Sequence, residues 1–200
     1  MTIDNIPDEV LLEIFDRYRH TFGDQLGSER AWNNKNGWFK LAHVCHNWRS
    51  IVLASPSRLR LRLYFNSNTP TRAVVLQSLS HLPIIVNYSN VIWKGDAPKR
   101  FTSALRYPNR VCRIAIRASS NASGITEALD IPFPALESLD LINKYSVKRV
   151  LRSPYFMTSI QSLRHLRLDH MSLTSASPLL SVTKSLVELT LNTDKVFLTN

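Results

Sequence analysis

The sequence predicts an α+β protein in which a small helical module precedes a larger domain of repeated strands. In the first 56 residues, large apolar side chains recur at steps of three and four, which places them on one side of a helix. After residue 56, short motifs with alternating apolar residues return every 23 to 27 residues, which indicates stacked structural repeats. We therefore predict a helical domain over residues 1–56 and a repeat domain over residues 57–200.

The first predicted helix begins at Pro7. Proline suits the first helical position because its missing N–H group would have no partner there. Asp8 and Glu9 lie in the first turn, where the helix dipole favours negative charge. One apolar face follows, made of Val10, Leu11, Ile14, Phe15 and Tyr18.

The second predicted helix runs from Trp38 to the Ser55-Pro56 pair. Its apolar face comprises Trp38, Leu41, Val44, Cys45, Trp48, Ile51 and Val52. A residue before proline disfavours the helical conformation, so Ser55 and Pro56 supply the stop. Such a wide apolar face must be buried, and the first helix is the expected partner. We therefore place Cys45 in the core of this module.

Five residue pairs in the two helices form a recognisable pattern. They are Ile6-Pro7, Val10-Leu11, Ile14-Phe15, Val44-Cys45 and Trp48-Arg49. The pattern resembles that of the F-box family, and with Ser55-Pro56 it looks like the variant common among fungal F-box proteins. The resemblance covers about residues 3–56. It departs from the family in the long segment 20–37 and in the absence of the tryptophan that often follows Ser-Pro, since residues 58–61 read Arg-Leu-Arg-Leu.

The resemblance implies an adaptor function. An F-box binds a Skp-family linker protein, and through it a cullin, in an SCF-type cullin–RING ubiquitin ligase. The residues expected to bind the linker are Ile6, Pro7, Val10, Leu11, Ile14, Phe15, Leu41, Val44, Cys45, Trp48 and Arg49. The ubiquitin transfer chemistry would belong to other subunits, so no enzymatic activity is expected of this chain. The chain would bring a substrate close to the charged ubiquitin carrier.

The rest of the chain contains a recurring L-x-x-L-x-L motif. It occurs at residues 136–141, 163–168 and 186–191, and residues 111–116 carry a conservative version. The central residues Ile114, Leu139, Leu166 and Leu189 are separated by 25, 27 and 23 positions. Motif and spacing resemble irregular leucine-rich repeats, in which strands and return segments stack as a βα solenoid. Each motif is therefore predicted to be a strand whose leucines enter the core.

Less regular units precede these four motifs. Strands are predicted at residues 59–63 and 84–88, and helices at residues 71–81 and 98–107. Return segments between the later strands are predicted at residues 126–129, 146–152 and 173–182. No polar capping unit follows the last motif, which leaves three interpretations open: a short protein, a fragment of a longer one, or an end covered by a partner.

The net charge of +10 is unevenly distributed. Residues 1–55 hold six Lys/Arg and seven Asp/Glu, whereas residues 56–200 hold 19 Lys/Arg and eight Asp/Glu. This asymmetry favours a boundary near residue 56 and an acidic partner for the repeat domain. We expect an acidic or phosphorylated protein segment to bind outward-facing basic side chains of the strands. These are Arg60, Arg62, Arg113, Arg117, His165 and Arg167, with Asp140, Asp169 and Glu188 towards the C-terminal end.

Other classes of site find little support in the sequence. His43, Cys45 and His46 do not form a zinc site by themselves, because positions two apart on a helix diverge and zinc needs four converging ligands. No G-x-S-x-G elbow or glycine-rich phosphate loop occurs, so no catalytic residue, metal or cofactor is predicted.

No apolar run approaches the roughly 18 residues of a membrane span. Acidic residues near the N-terminus argue against a signal peptide. We expect Cys45 and Cys112 to be reduced, buried thiols. The expected location of the protein is the cytoplasm, the nucleus or both.

Two further functions remain open. The chain could be a basic leucine-rich-repeat scaffold that binds nucleic acid or acidic proteins without a ligase. It could also be a degenerate F-box copy with no working substrate site. Nucleic acid is disfavoured because the arginines are not interleaved with exposed aromatic residues in a known binding module.

Overall fold

The computed structural model describes residues 6–23, 37–66, 73–91, 97–118, 128–142, 160–169 and 184–192. Both helices and strands occur, as the predicted α+β class requires. The chain divides into two compact units, Met1–Tyr64 and Phe65–Asn200. The predicted domain limit after residue 56 stays a prediction. The return segments predicted at 146–152 and 173–182, and most of the one at 126–129, lie outside the described residues.

In the described part of the first unit there are three helices. Helix α1 spans Asp8–Gly23, α2 spans Trp38–Ala42 and α3 spans His46–Ala54. The amide groups of Val10 and Leu11 donate to the carbonyl oxygen of Pro7 at 3.0 and 3.1 Å, so Pro7 is the residue just before α1 and not its first residue, one position from the prediction. Helix α3 ends just before the Ser55-Pro56 pair, where the sequence predicts a stop. Helix α1 contacts both α2 and α3.

The three helices bury one apolar core. The ring of Phe15 in α1 packs against Trp48 in α3, with the ring centroids 4.8 Å apart and the planes tilted by 59°. The indole Nε1 of Trp38 donates to the carbonyl oxygen of Arg62 at 3.1 Å, which ties α2 to the segment after α3. The buried apolar side chains of these helices are Leu11, Leu12, Phe15, Trp38, Leu41, Ala42, Ile51 and Val52.

The prediction of a single helix over residues 38–55 is wrong in its middle. Helix α2 ends at Ala42, and α3 begins after a turn at residues 43–45. Cys45 has extended backbone and caps α3, since its Sγ accepts a hydrogen bond from the amide of Trp48 at 3.5 Å. Cys45 is therefore half-buried at a helix start and not in the core as expected. The apolar spacing does not reveal the break, because residues on both sides of the turn enter the same core.

After α3 the chain makes one helical turn that ends in a Schellman motif. The amide of Leu61 donates to the carbonyl oxygen of Pro56 at 2.8 Å, and the amide of Arg60 donates to that of Ser57 at 3.1 Å. Arg60 adopts the left-handed conformation that this motif requires, with φ at 46°. The strand predicted at residues 59–63 is therefore wrong. Two of its three buried leucines lie in the turn or directly after it, and neither is in a strand.

Six strands form one sheet in the order in which they occur in the chain. They are β1 (Leu63–Asn66), β2 (Ile84–Val91), β3 (Val111–Ala118), β4 (Ser138–Ile142), β5 (His165–Asp169) and β6 (Glu188–Asn192). The pairs from β2 to β6 are parallel. Successive parallel neighbours require a crossover between them, as the predicted strand-and-return units have. The strands predicted from β2 to β6 are confirmed, whereas the leucine-rich-repeat assignment stays a prediction.

Two short helices lie between the early strands of the second unit. They are α4 (Ala73–Ser78) and α5 (Ala97–Ala104), and they confirm the helices predicted at residues 71–81 and 98–107. Phe101 of α5 packs edge-on against Tyr88 of β2, with ring centroids 5.1 Å apart. Across the described segments, no helix combines the length and apolar character that crossing a membrane would need.

The apolar positions of the repeat motif align across the sheet. From β3 to β5, the two aligned rows are Ile114–Leu139–Leu166 and Ile116–Leu141–Leu168. All six side chains are buried, so they form a continuous layer of the core. Burying each side chain of this size contributes about 1.5–3 kcal/mol relative to leaving it exposed.

The backbone entry into each later strand is repeated. The amides of Arg164 and His165 both donate to the carbonyl oxygen of Glu137, at 2.8 and 3.0 Å. One repeat later, the amides of Val187 and Glu188 both donate to the carbonyl oxygen of Arg164, at 2.8 and 2.9 Å. The motif therefore specifies the same local geometry in consecutive units.

Arg110 fastens the segment after α4 to the start of β3. Its Nη1 donates to the carbonyl oxygen of Leu76 at 2.9 Å, and its Nη2 donates to that of Leu79 at 2.6 Å. Its Nε and Nη2 both donate to the carbonyl oxygen of Leu82, at 3.0 and 2.9 Å. Burial lowers the pKa of Arg110, and the neighbouring Tyr107 opposes this effect. Nothing in the sequence marks this arginine, because its carbonyl partners lie 28 to 34 residues away.

We expect Arg110→Ala to destabilise the second unit. The substitution leaves three backbone carbonyl groups without their guanidinium donor, which costs about 2–3 kcal/mol for hydrogen bonds to a charged group. Urea unfolding followed by circular dichroism measures the effect, with Arg106→Ala as a control that removes an exposed arginine nearby. Equal unfolding midpoints for the two variants would contradict the structural role of Arg110.

Candidate docking face and polar sheet face

In the described part of the first unit, Val10, Ile14 and Val44 are large apolar residues that stay exposed, and together with the exposed Pro7 we call them the docking face. Val10, Ile14 and Val44 expose 47%, 46% and 57% of their surface. Pro7, Val10 and Ile14 are spaced by three and four positions, so they form one stripe along α1. Val44 lies in the turn between α2 and α3.

Helix α1 is apolar on two sides. Leu11 and Phe15 are fully buried in the unit, whereas Val10 and Ile14 point into solvent. A helix that packs on one side only normally carries polar residues on the other. Exposed valine and isoleucine at helical spacing therefore indicate a face that another molecule can cover.

The residues predicted to bind the linker separate by burial. Leu11, Phe15 and Leu41 lie inside the unit, where they support the docking face from behind. Ile6, Cys45 and Trp48 are half-buried. Those open to a partner are Pro7, Val10, Ile14, Val44 and Arg49.

Arg49 is exposed and engaged within the unit. Its Nε donates to the carbonyl oxygen of Ala42 at 2.8 Å, seven positions earlier in the chain. Ala42 is the last residue of α2, so the guanidinium caps that helix from α3. The sequence gives no sign of this bond, because the break between α2 and α3 is not visible in the spacing of the apolar residues.

In the second unit, polar residues occupy the sheet surface opposite the leucine rows, and we call this surface the polar face. Its members from β3 to β6 are Arg113, Arg117, Ser138, Asp140, His165, Arg167, Asp169, Glu188, Thr190 and Asn192. The predicted substrate residues Arg113, Arg117, His165 and Arg167 all lie on it. Arg60 and Arg62 belong to the first unit and precede β1, so neither occupies a strand position.

Carboxylates engage Arg167 on the polar face. Its Nη2 donates to Oδ2 of Asp169 at 3.5 Å, and its Nε lies 4.0 Å from Oδ1 of Asp140. The other oxygen of Asp169 accepts a hydrogen bond from Nδ2 of Asn192 at 2.7 Å. Arg167 thus lies close to two carboxylates, which offset part of its charge.

The edge of the polar face carries one more pair. Nδ1 of His165 lies 3.1 Å from Oε2 of Glu188, and both side chains are about half exposed or more. On β2 and β3, Ile85, Asn87 and Ala115 lie on the same side of the sheet as Arg113 and are all buried. The open part of the polar face therefore mixes both signs of charge and is less basic than the sequence suggests.

Asp140 lies among three arginines. Burial raises the pKa of its carboxyl, and Arg167, Arg117 and Arg113 lower that pKa without reversing the shift. Asp169 adds to the rise. Among the described residues, neither Oδ1 of Asp140 nor Nε of Arg167 has a hydrogen-bond partner. The ionised form of Asp140 therefore lowers the free energy of unfolding.

Metal binding has no support in the described residues. The Sγ of Cys45 caps α3, and no group of three or more His, Cys, Asp or Glu side chains in the described segments is placed to hold a metal ion.

Comparison with known proteins gives no match of any kind: no family model, no curated protein and no solved structure matches this chain.

We expect Asp140→Asn to raise the melting temperature at neutral pH. Because the pKa of Asp140 is higher in the folded than in the unfolded chain, its ionisation favours unfolding above the folded pKa. That penalty disappears as the pH falls below the ordinary value of 3.8. The difference in melting temperature between variant and parent should therefore shrink from pH 7 towards pH 3. Glu137→Gln, which removes an exposed carboxylate beside β4, serves as the control. If Asp140→Asn is less stable than the parent at pH 7, this account is wrong.

Proposed function

We propose that this chain is a substrate-recognition adaptor of an SCF-type cullin–RING ubiquitin ligase. The first unit binds a Skp-family linker protein, and through it a cullin, while the second unit holds a protein substrate. The observation that carries the proposal is the docking face, whose members coincide with the F-box pattern of the sequence. Ubiquitin transfer itself belongs to other subunits, and this chain acts by raising the local concentration of the substrate.

The geometry of α1 supports the linker site. Side chains at Pro7, Val10 and Ile14 have the spacing by which an amphipathic helix inserts into an apolar groove. The buried Leu11 and Phe15 hold the helix in place from the other side, so docking needs little further ordering of α1. Covering the exposed parts of Val10 and Ile14 then contributes directly to affinity.

The polar face supports a protein substrate with an acidic or phosphorylated segment. Arg117 is exposed on β3, where its charge reaches Asp140 and lowers the pKa of that carboxyl. It is the arginine best placed to receive an anionic group, since Arg167 is already held by Asp169. Arg113 lies four residues away on the same strand and the same side, and is half-buried.

The charges on the polar face weigh against the competing function of a nucleic-acid scaffold. A polyphosphate backbone binds where basic side chains neutralise successive phosphates. Here Asp140, Asp169 and Glu188 lie on β4, β5 and β6, beyond Arg113 and Arg117 on β3, and adjacent strands are about 4.8 Å apart. A nucleic acid crossing the strands would meet these carboxylates, whereas a short protein segment can stay beside Arg117.

Val10→Ser and Ile14→Ser should each weaken binding of the purified linker by about tenfold or more, because each removes an apolar anchor from the docking face. Calorimetric titration of the full chain with the linker measures this. Val187→Ser is the matched control, since Val187 is 75% exposed but lies in the second unit. Leu11→Ala is a poor probe, because loss of this buried side chain would destabilise the unit. Wild-type affinity in both docking-face variants would rule out this site.

Arg117→Glu should reduce capture of acidic partners and flatten the dependence of that capture on salt, because a favourable charge contact becomes repulsive. Co-purification at two salt concentrations followed by mass spectrometry gives the comparison. Arg106→Glu, a reversal at an exposed arginine outside the strands, is the control. If Arg117→Glu captures the same partners with the same salt dependence as the parent, the polar face is not the substrate site.

A further inference from the structure

We propose that Arg49 is a positioning residue for linker binding: it holds the turn between α2 and α3 so that Val44 is presented on the docking face. This inference rests on the proposed function and deepens it. It assigns Arg49 a role through the turn instead of a direct contact with the linker.

The turn is anchored at the end of α2. Helix α2 has only five residues, Trp38–Ala42, and a helix this short does not hold its own end firmly. Two backbone hydrogen bonds form at the C-terminal end of α2. The amide of His43 donates to the carbonyl oxygen of Lys40 at 3.1 Å, and the amide of Val44 donates to that of Leu41 at 3.3 Å. The carbonyl oxygen of Ala42 receives its hydrogen bond from Nε of Arg49 at 2.8 Å. The side chain of Arg49 therefore fixes the last peptide group before the turn.

The turn is anchored again at the start of α3. Cys45 is extended, and its Sγ accepts the amide of Trp48. The carbonyl oxygen of Cys45 accepts the amide of Arg49 at 3.1 Å, so the backbone of Arg49 belongs to the first turn of α3. With its main chain on α3 and its guanidinium on α2, Arg49 closes a loop of the chain that contains Val44.

Val44 is the residue that this closed loop displays. It exposes 57% of its surface, the largest exposed fraction of any large apolar side chain in the described part of the first unit. The position of Val44 depends on the angle between α2 and α3. Among the described residues, one side-chain hydrogen bond crosses the turn between these helices, from Arg49 to Ala42. Without it, Val44 would sample several positions and lose the preorganisation that makes an apolar anchor effective.

A direct charge contact is the competing role of an exposed arginine. The two roles differ in what they predict. A charge contact with the linker weakens with salt and acts independently of Val44. A positioning role acts through Val44, so the loss of either residue makes the loss of the other almost irrelevant.

The test is a double-mutant cycle on linker affinity with the full chain, using Val44→Ser, Arg49→Ala and the double variant. We expect each single substitution to weaken binding about tenfold, and the double variant to weaken it about tenfold instead of a hundredfold. The loss caused by Arg49→Ala should be the same at low and high salt. Arg49→Lys keeps the charge but lacks the Nε donor, so it should behave like Arg49→Ala. Arg58→Ala, which removes an exposed arginine of the same unit, should bind like the parent.

The outcomes separate cleanly. Additive losses in the cycle, a salt-dependent loss for Arg49→Ala, or full affinity in Arg49→Lys would each overturn the positioning role while leaving the linker site intact. A parent chain that does not bind the linker at all would overturn the proposed function together with this inference. Thermal melting of each variant accompanies the titrations, and if Arg49→Ala fails to fold, the cycle is completed with Arg49→Lys.

Discussion

The in-register alignment of the parallel strands from β3 to β6 is the constraint on which the second unit depends. Side chains alternate between the two faces of a strand, so a slip of one residue would exchange the leucine rows with the polar rows. In the observed register, Leu139 and Leu141 each lie between two apolar neighbours, while Asp140 lies between Ala115 and Arg167. The apolar core and the polar face are therefore two results of one alignment, and any ligand of the polar face meets a charge pattern fixed by that register.

The first unit uses a different device, a helix with apolar residues on both sides. Packing of Phe15 against Trp48 commits one side of α1 to the core and leaves Val10 and Ile14 on the other. The exposed side is unfavourable in the isolated chain, and covering it releases that cost. The proposed adaptor function would supply such a cover when the chain assembles with the linker. In its proposed role, Arg49 steadies the turn between α2 and α3 without being part of the apolar core.

Several elements could be predicted because apolar periodicity reports burial directly. The strands from β2 to β6 follow from the spacing of their apolar residues, and Pro7 marks the start of α1 to within one residue. The break at Cys45 and the turn at Arg60 could not be predicted in the same way. A thiol is a weak capping group and arginine is not favoured at positive φ, so neither residue signals the backbone geometry that it adopts.

By itself the sequence determined which residues are apolar enough to need burial and where strands recur. Only the tertiary structure decided which apolar stripe of α1 is covered, because burial depends on where α2 and α3 pack and not on the hydropathy of Leu11 or Ile14. Likewise the large positive charge of the second part of the chain is evident from its residues alone. Strand register then placed Arg167 beside Asp140 and Asp169, since residues more than 20 positions apart become neighbours only when strands pair.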